Sequence, residues 1–303
     1  MTKLPLAAAT CFLLSLSACA GIQSVKVAQL PRDAAAPPAL SEGRPAKDDV
    51  ASRAYEVPDK SAFFQQWSGG SVGLGVALGP IGVAMNIANI DRTTREMGEA
   101  GAVSGLYQID AREEARAAIE ALTPPRAKGG IAAPVTVQPY VTYLIADEGV
   151  GLETLVTLRV ESAVGGERKL LGSYTYYLDG ALPLESFKKA LAAPLLVARR
   201  EAMRRAYAEL YREVLVDVSG KAPAKQDIAR VKSRATGVIP LGGNISRNAA
   251  GHLVVRAISE GWHPTYTAVV FAADAQYTFT DGPVARQQKP AQDPSAEASA
   301  SEM

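Results

Sequence analysis

Three consecutive runs of alternating apolar residues, followed by a long helical pattern, most constrain how this chain can fold. The runs cover residues 135–145, 152–160 and 170–178, and alternation with a period of two places their apolar side chains on one face of a strand. Asp147-Glu148-Gly149 and Val164-Gly165-Gly166 supply turn residues between the runs. We therefore predict that the three runs are antiparallel neighbours in a β-meander.

A helical pattern follows the third run. It begins at Leu184, is interrupted near Pro194 and resumes to about Val216. Its second part carries an apolar stripe opposite a charged face, and the stripe consists of Leu196, Met203, Tyr207, Leu210 and Val214. This arrangement predicts an amphipathic helix that packs on a sheet.

Weaker patterns flank this central part. Residues 101–109 are compatible with a short strand, and Asp110-Ala111-Arg112-Glu113 is a capping-box signature that predicts a helix ending before Pro124-Pro125. Residues 253–257 and 265–280 have strand signals that either extend the sheet or form a small β subdomain. The predicted fold class is α+β, with an antiparallel sheet of three or more strands packed against one short and one long helix.

The amino terminus has the pattern of an export signal. Lys3 precedes an apolar run over residues 4–16 that is too short to span a bilayer comfortably. The motif Leu16-Ser17-Ala18-Cys19 comes next, and it resembles the lipobox of bacterial lipoproteins. The resemblance implies cleavage before Cys19, diacylglyceryl attachment to its thiol and acylation of the freed amine, which together give stable membrane attachment. An ordinary secretory signal and an uncleaved anchor are the alternatives.

Several properties of the mature chain follow from this motif. Ala20 stands where the enterobacterial sorting rule uses Asp for inner-membrane retention, so we expect the outer membrane. Cys11 leaves with the signal, so the mature domain has no disulfide and no thiolate. The 32 basic residues balance 31 acidic ones, which excludes the strongly basic footprint that nucleic-acid binding requires. The same balance means that membrane attachment depends on the lipid and not on a polybasic patch.

Composition divides the chain into six parts. We predict a signal peptide over 1–18, a lipidated N-terminus and flexible tether over 19–60, a Gly-rich apolar segment over 61–100, an α+β core over 101–220, a β-rich C-terminal section over 221–281 and a disordered tail over 282–303.

The Gly-rich segment has two interpretations. Two pairs of residues have the small-xxx-small spacing that lets helices approach closely: Gly69 with Gly73, and Gly75 with Gly79. One interpretation is therefore a glycine zipper that inserts into a membrane or forms an oligomeric pore. The other is a Gly-rich loop and short helix within the soluble core or an oligomer interface, which Pro80 favours because it breaks a helix.

A serine hydrolase can also be formulated from the sequence. Gly69-Gly70-Ser71-Val72-Gly73 matches the nucleophile-elbow pattern, and the candidates for the acid and the base are Asp179 or Asp217 and His252 or His263. The context disagrees, because an elbow serine follows several core strands, whereas a tether precedes Ser71. With two histidines and no cysteine ligand, we predict neither a metal site nor a cofactor, and no enzyme activity.

The long helix also carries an arginine-rich face, formed by Arg199, Arg200, Arg204, Arg205 and Arg212. One interpretation is a site for phosphorylated lipid headgroups or an acidic partner. The other is a solvated face on which Glu201, Glu209 and Glu213 pair with the arginines.

The predicted order of elements over about residues 101–216 resembles envelope lipoproteins of the lipopolysaccharide-assembly and ABC-transport-auxiliary kind. This resemblance is topological, and it implies a non-enzymatic partner of a transport machine. We therefore expect an outer-membrane lipoprotein that faces the periplasm and acts in binding, scaffolding or assembly. Its expected partners are membrane lipid through Cys19 and an envelope protein, and a homo-oligomer is compatible with the sequence.

Overall fold

The structure of the chain is a computed structural model. It describes residues 37–46, 50, 54–66, 90–123, 135–145, 151–162, 169–178, 180, 182–183, 188–221, 226–233, 237–259, 265–271 and 277–279. The lipobox, the four glycines of the proposed zipper and the C-terminal tail lie outside these residues.

The described residues form one large mixed sheet with helices packed against it, which confirms the α+β class. Its strands are β1 (Ala39–Leu40), β2 (Tyr55–Glu56), β3 (Ala62–Gln66), β4 (Val135–Ile145), β5 (Gly151–Ser162), β6 (Lys169–Tyr177), β7 (Leu182–Pro183), β8 (Gln226–Ser233), β9 (Gly237–Arg247), β10 (Leu253–Ser259), β11 (Thr265–Phe271) and β12 (Tyr277–Phe279). The strand order is β12-β8-β9-β10-β11-β6-β5-β4-β3-β2, with β1 beside β4 and β7 beside β5.

The predicted meander is confirmed. β4, β5 and β6 are consecutive antiparallel strands, in which Val141 lies opposite Val156 and Val156 lies opposite Tyr176. β11 joins the free side of β6 in parallel, so the C-terminal strands extend the sheet and do not form a separate subdomain. The predicted boundary between 220 and 221 is therefore not a boundary of the sheet.

Three helices accompany the sheet in the described part of the chain: α1 (residues 90–104), α2 (Ala111–Glu120) and α3 (Ala193–Val218). The short strand predicted over 101–109 is wrong, because residues 101–104 complete α1 and Leu106–Gln108 form a 3-10 turn. Gly105 separates the two with a φ of 81°, a left-handed conformation that glycine adopts at little cost.

The two predicted helices begin at identifiable residues. The side chain of Asp110 accepts a 2.9 Å hydrogen bond from the backbone N–H of Arg112, so the predicted N-cap of α2 is confirmed. α3 begins at Ala193 rather than at Leu184, and residues 188–192 are not helical. Pro194 lies in the first turn of α3, where its missing N–H costs no hydrogen bond, and so it starts this helix rather than interrupting one.

The apolar stripe of α3 lies against the sheet as predicted. Met203, Tyr207, Leu210 and Val214 are fully buried and Leu196 is partly buried. They pack with the apolar faces of β4, β5 and β6 in one continuous core, to which Val254 of β10 and Val270 of β11 also belong. Burial of this face, rather than helix propensity, holds α3 in place.

Within the expected tether over 19–60, residues 39–40 and residues 54 and 57 pack into the fold, so the end of the tether at residue 60 is wrong. β1 pairs in parallel with β4, and the hydroxyl of Tyr211 on α3 donates a 2.7 Å hydrogen bond to the carbonyl of Pro38. Ala54 and Val57 are buried as well. The Ala- and Pro-rich composition predicted a tether. A strand of two residues such as β1 is too short to show a periodic pattern, so its pairing with β4 has no signal in the sequence. None of the helices among the described residues has the length and apolar character needed to cross a membrane.

Candidate functional site

A groove of about 710 Å³ runs along α3, between this helix, the end of β6 and the turn that precedes β10. Its apolar surface consists of Leu178, Leu195, Ala198, Ala202, Ala206 and Ala208. Its polar surface consists of Tyr176, Arg199, Arg205, Glu209, Arg212 and His252. We call this feature the α3 groove.

Small side chains leave the space that the groove occupies. Ala198, Ala202 and Ala206 follow one another at intervals of four residues, and this spacing places them on one strip of the helix surface. Longer side chains flank this strip, so a trough remains with an apolar floor and cationic walls.

The structure divides the predicted arginine face into two sets. Arg199, Arg205 and Arg212 line the α3 groove. Arg200 and Arg204 turn instead towards α2, where both contact the buried carboxylate of Glu114. Arg200 Nε lies 3.3 Å from Oε1 of Glu114, and Arg204 Nη2 lies 2.7 Å from Oε2. The second set therefore joins two helices, and only the first set faces an open site.

Arg199 is the buried arginine among those that line the groove. Its guanidinium donates a hydrogen bond to the carbonyl of Gly180. Burial raises the pKa of Tyr143 well above its ordinary value, and the positive charge of nearby Arg199 opposes part of that rise. Arg199 is thus a fixed positive charge in the wall of the groove.

Glu209 is the carboxylate that lines the groove, and both of its oxygens have partners. Oε1 pairs with Arg212, and Oε2 accepts a 3.4 Å hydrogen bond from Asn248 Nδ2. The hydroxyl of Tyr176 and Nε2 of His252 are 3.3 Å apart, and the two rings meet edge to face. These contacts attach the turn before β10 to α3 and β6.

A buried charged cluster lies beneath α3, and it corrects the interpretation that put Glu213 on a solvated face with the arginines of the helix, because Glu213 is buried and pairs with Arg256 of β10. Arg256 on β10 pairs with Glu213 and with Asp217, whose Oδ1 lies 2.7 Å from Nε of the arginine. The hydroxyl of Tyr174 on β6 donates a 2.6 Å hydrogen bond to the other oxygen of Asp217. A signal for this cluster was present, because Glu213 and Asp217 lie three and seven residues after Leu210, a spacing that places them on the core-facing side of the helix.

The hydrolase residues are only partly described. Asp217 has both carboxylate oxygens engaged by Arg256 and Tyr174, and His252 contacts Tyr176. Ser71, Asp179 and His263 lie outside the described residues, as do Cys19 and the zipper positions Gly69, Gly73, Gly75 and Gly79.

Neither a metal-binding group among the described residues nor a match to a known protein assigns a further role to these residues. Among the described residues, no group of three or more histidine, cysteine or acidic side chains has the geometry to hold a metal ion. No protein-family model matches the chain, and no curated protein matches it.

Proposed function

We propose that the protein is a membrane-anchored envelope lipoprotein of bacteria, with a non-enzymatic role in binding, scaffolding or assembly and transport. The α3 groove carries this proposal, because it is an open surface that combines an apolar floor with three arginines. The motif Leu16-Ser17-Ala18-Cys19 supports the anchor, and Ala20 supports a place in the outer membrane facing the periplasm.

The mechanism that we propose is tethered recognition. Acyl chains on Cys19 fix the protein at the membrane, and the described fold begins at Pro37. A chain between these two residues spans at most about 60 Å when fully extended. Pro37, where the described fold begins, therefore lies within that distance of the membrane surface, and the groove lies beyond it on the fold.

The groove is suited to recognition because its walls are held in position. Leu210 and Val214 are buried in the core on one side of α3, and the cluster around Arg256 links the helix to β10. Arg205 and Arg212 project from a helix held in this way, and guanidinium groups bind phosphate and carboxylate oxygens with two parallel hydrogen bonds. The glycine-zipper and hydrolase hypotheses both need residues outside the described part of the chain.

Metabolic labelling tests the anchor. Cells that express the wild-type chain, Cys19→Ala or the control Cys11→Ala are fed an alkyne analogue of palmitate. We expect label and membrane association in the wild type and in Cys11→Ala, and loss of both in Cys19→Ala. Equal labelling of the wild type and Cys19→Ala would reject the lipoprotein assignment.

Crosslinking in native envelopes tests the accessory role. Partners recovered with the wild type are compared with those of Cys19→Ala and of the double variant Arg205→Gln/Arg212→Gln. The double variant Arg92→Gln/Arg95→Gln removes the same charge from α1 and is the matched control. We expect an envelope complex that requires both the anchor and the groove arginines. Recovery of copies of this chain alone would contradict that role and favour an oligomeric pore.

A further inference from the structure

We propose that the α3 groove binds one anionic amphiphile, a molecule with an aliphatic chain and a phosphate or carboxylate headgroup. The inference deepens the proposed function and rests on it. It assigns the headgroup to Arg205 and Arg212 and the aliphatic chain to the alanine floor.

The charge of the groove favours an anion. Three arginines line it against one carboxylate, and that carboxylate, Glu209, is already shared by Arg212 and Asn248. Arg205 is the most available cation, because its side chain is 72% exposed and its ion pair with the exposed Glu201 is long, at 3.9 Å. Such a pair contributes little, so a phosphate or carboxylate can replace Glu201 at small cost.

The floor favours an aliphatic chain. Ala198, Ala202 and Ala206 form a narrow apolar trough, and Leu178 lies beside them. The volume of about 710 Å³ falls within the range of about 300–1,000 Å³ that is typical of small-ligand sites. An acidic protein segment without apolar side chains would contact the arginines and leave this trough unfilled.

The two ends of the groove differ in polarity. Leu195 lines it at the start of α3, about 15 Å along the helix axis from Arg205. Leu195 and its neighbour Val197 are exposed, as is Val103 at the end of α1. Leu191 N–H donates to Ser104 O at 3.1 Å, which holds these two helix ends together. Arg199 lies one turn from Leu195, but it is buried and donates to the carbonyl of Gly180. The exposed guanidinium groups of Arg205 and Arg212 therefore lie at one end and Leu195 at the other, which matches the two ends of an amphiphile.

Titration of the full chain by native mass spectrometry tests the proposal. The protein is held in a constant concentration of a non-ionic detergent, and the probes are lysophosphatidic acid, lysophosphatidylcholine, inorganic phosphate and an acidic sixteen-residue peptide. We expect saturable binding of one lysophosphatidic acid, with weaker binding of the other three probes. Inorganic phosphate separates headgroup recognition alone from recognition of the whole amphiphile.

Variants locate the site. Arg205→Gln/Arg212→Gln is expected to raise the dissociation constant for lysophosphatidic acid by about tenfold or more, since it removes two charge-assisted contacts. Ala202→Leu fills the trough and is expected to weaken binding of lysophosphatidic acid but not of inorganic phosphate. The control Arg92→Gln/Arg95→Gln is expected to leave binding unchanged.

Three results would overturn the inference. They are equal binding of lysophosphatidylcholine, equal binding of inorganic phosphate or the acidic peptide, and wild-type affinity in Arg205→Gln/Arg212→Gln. The readout is independent of palmitate labelling at Cys19, so a failed ligand and a failed anchor are distinguishable. If the protein is labelled and membrane-bound but does not bind the amphiphile, only the ligand proposal is rejected and the anchor remains supported.

Discussion

Arg256 and Asp217 form an ion pair with 2.7 Å between Nε and Oδ1, although their side chains are only 1% and 5% exposed. Glu213 supplies a second carboxylate to the same guanidinium, and Ser246 Oγ lies 3.2 Å from Nη1. Arg256 belongs to β10, and both carboxylates belong to α3. The cluster therefore joins the C-terminal strands to the helix that carries the groove.

Replacement of Arg256 by methionine should lower the free energy of unfolding by about 3–5 kcal/mol. The change leaves the carboxylates of Glu213 and Asp217 buried without their cation, which is far more costly than the loss of an exposed ion pair. Urea denaturation measures the difference. The control is Arg247→Met, an exposed arginine at the end of β9, and a similar loss in both variants would contradict a role for the buried cluster.

Glu114→Gln should lower the free energy of unfolding by about 1–2 kcal/mol. The substitution keeps the shape of a buried side chain and removes the charge that Arg200 and Arg204 contact. Both arginines are about half exposed, so the loss should shrink in 1 M salt. Arg205→Gln on α3, the helix that carries Arg200 and Arg204, is the control and should change stability by less than about 0.5 kcal/mol. A loss that does not depend on salt would argue against an electrostatic cause.

Gly98→Ala should destabilise the protein by about 1–3 kcal/mol, although alanine is the better helix former. A Cβ at position 98 of α1 would lie 2.2–2.6 Å from ring atoms of Tyr55, so the ring or the helix must move. Thermal unfolding measures the effect. Ala102→Gly, at an exposed position of the same helix, measures only the difference in helix propensity between alanine and glycine. Stabilisation by Gly98→Ala would show that α1 does not pack against Tyr55 in this way.

Asp110→Ala should cost about 1 kcal/mol of stability, because it removes the side-chain acceptor for Arg112 N–H at the start of α2. Asp110→Asn keeps an acceptor at this position and loses the 3.4 Å ion pair with Lys60. The difference between the two variants in chemical denaturation isolates the cap. Equal stability of the two variants would mean that the cap contributes nothing measurable.

Stability should fall as the pH rises from about 10 towards 12. Burial, together with the negative charge of Glu153, raises the pKa of Tyr177 to about 12, whereas an unfolded tyrosine titrates near 10. The folded state therefore holds more protons than the unfolded state in this window, which makes the slope of stability against pH negative. Tyr177→Phe should make the slope shallower in denaturation experiments between pH 9 and 12. An unchanged slope would assign the effect to other groups.

The sequence predicted those elements whose evidence is periodic and local. The meander of β4, β5 and β6, the buried stripe of α3 and the N-cap at Asp110 all depend on spacings within one segment. The errors have the same origin. Residues 101–104 continue a helix that begins earlier in the chain, and Ala39–Leu40 form a strand only because β4 offers a parallel partner.

The arginine face shows what a local sequence pattern can predict and what it cannot. Five arginines on one helix were assigned to a single face, but Arg199 is buried, and the sequence could not tell which of the others have a partner elsewhere. Glu114, which contacts Arg200 and Arg204, lies on another helix far away in the chain. The groove set of Arg199, Arg205 and Arg212 is therefore a result of the tertiary structure.

The sequence by itself determined the alternation of strands, the amphipathic character of α3 and the motif at Cys19 that predicts a lipid anchor. Only the tertiary structure decided that β11 pairs in parallel with β6, that Arg256 meets Asp217 and that a groove remains open beside α3. The reason is physical. Periodicity follows from backbone geometry within one element, whereas pairing between distant residues depends on how whole elements bury their surfaces together.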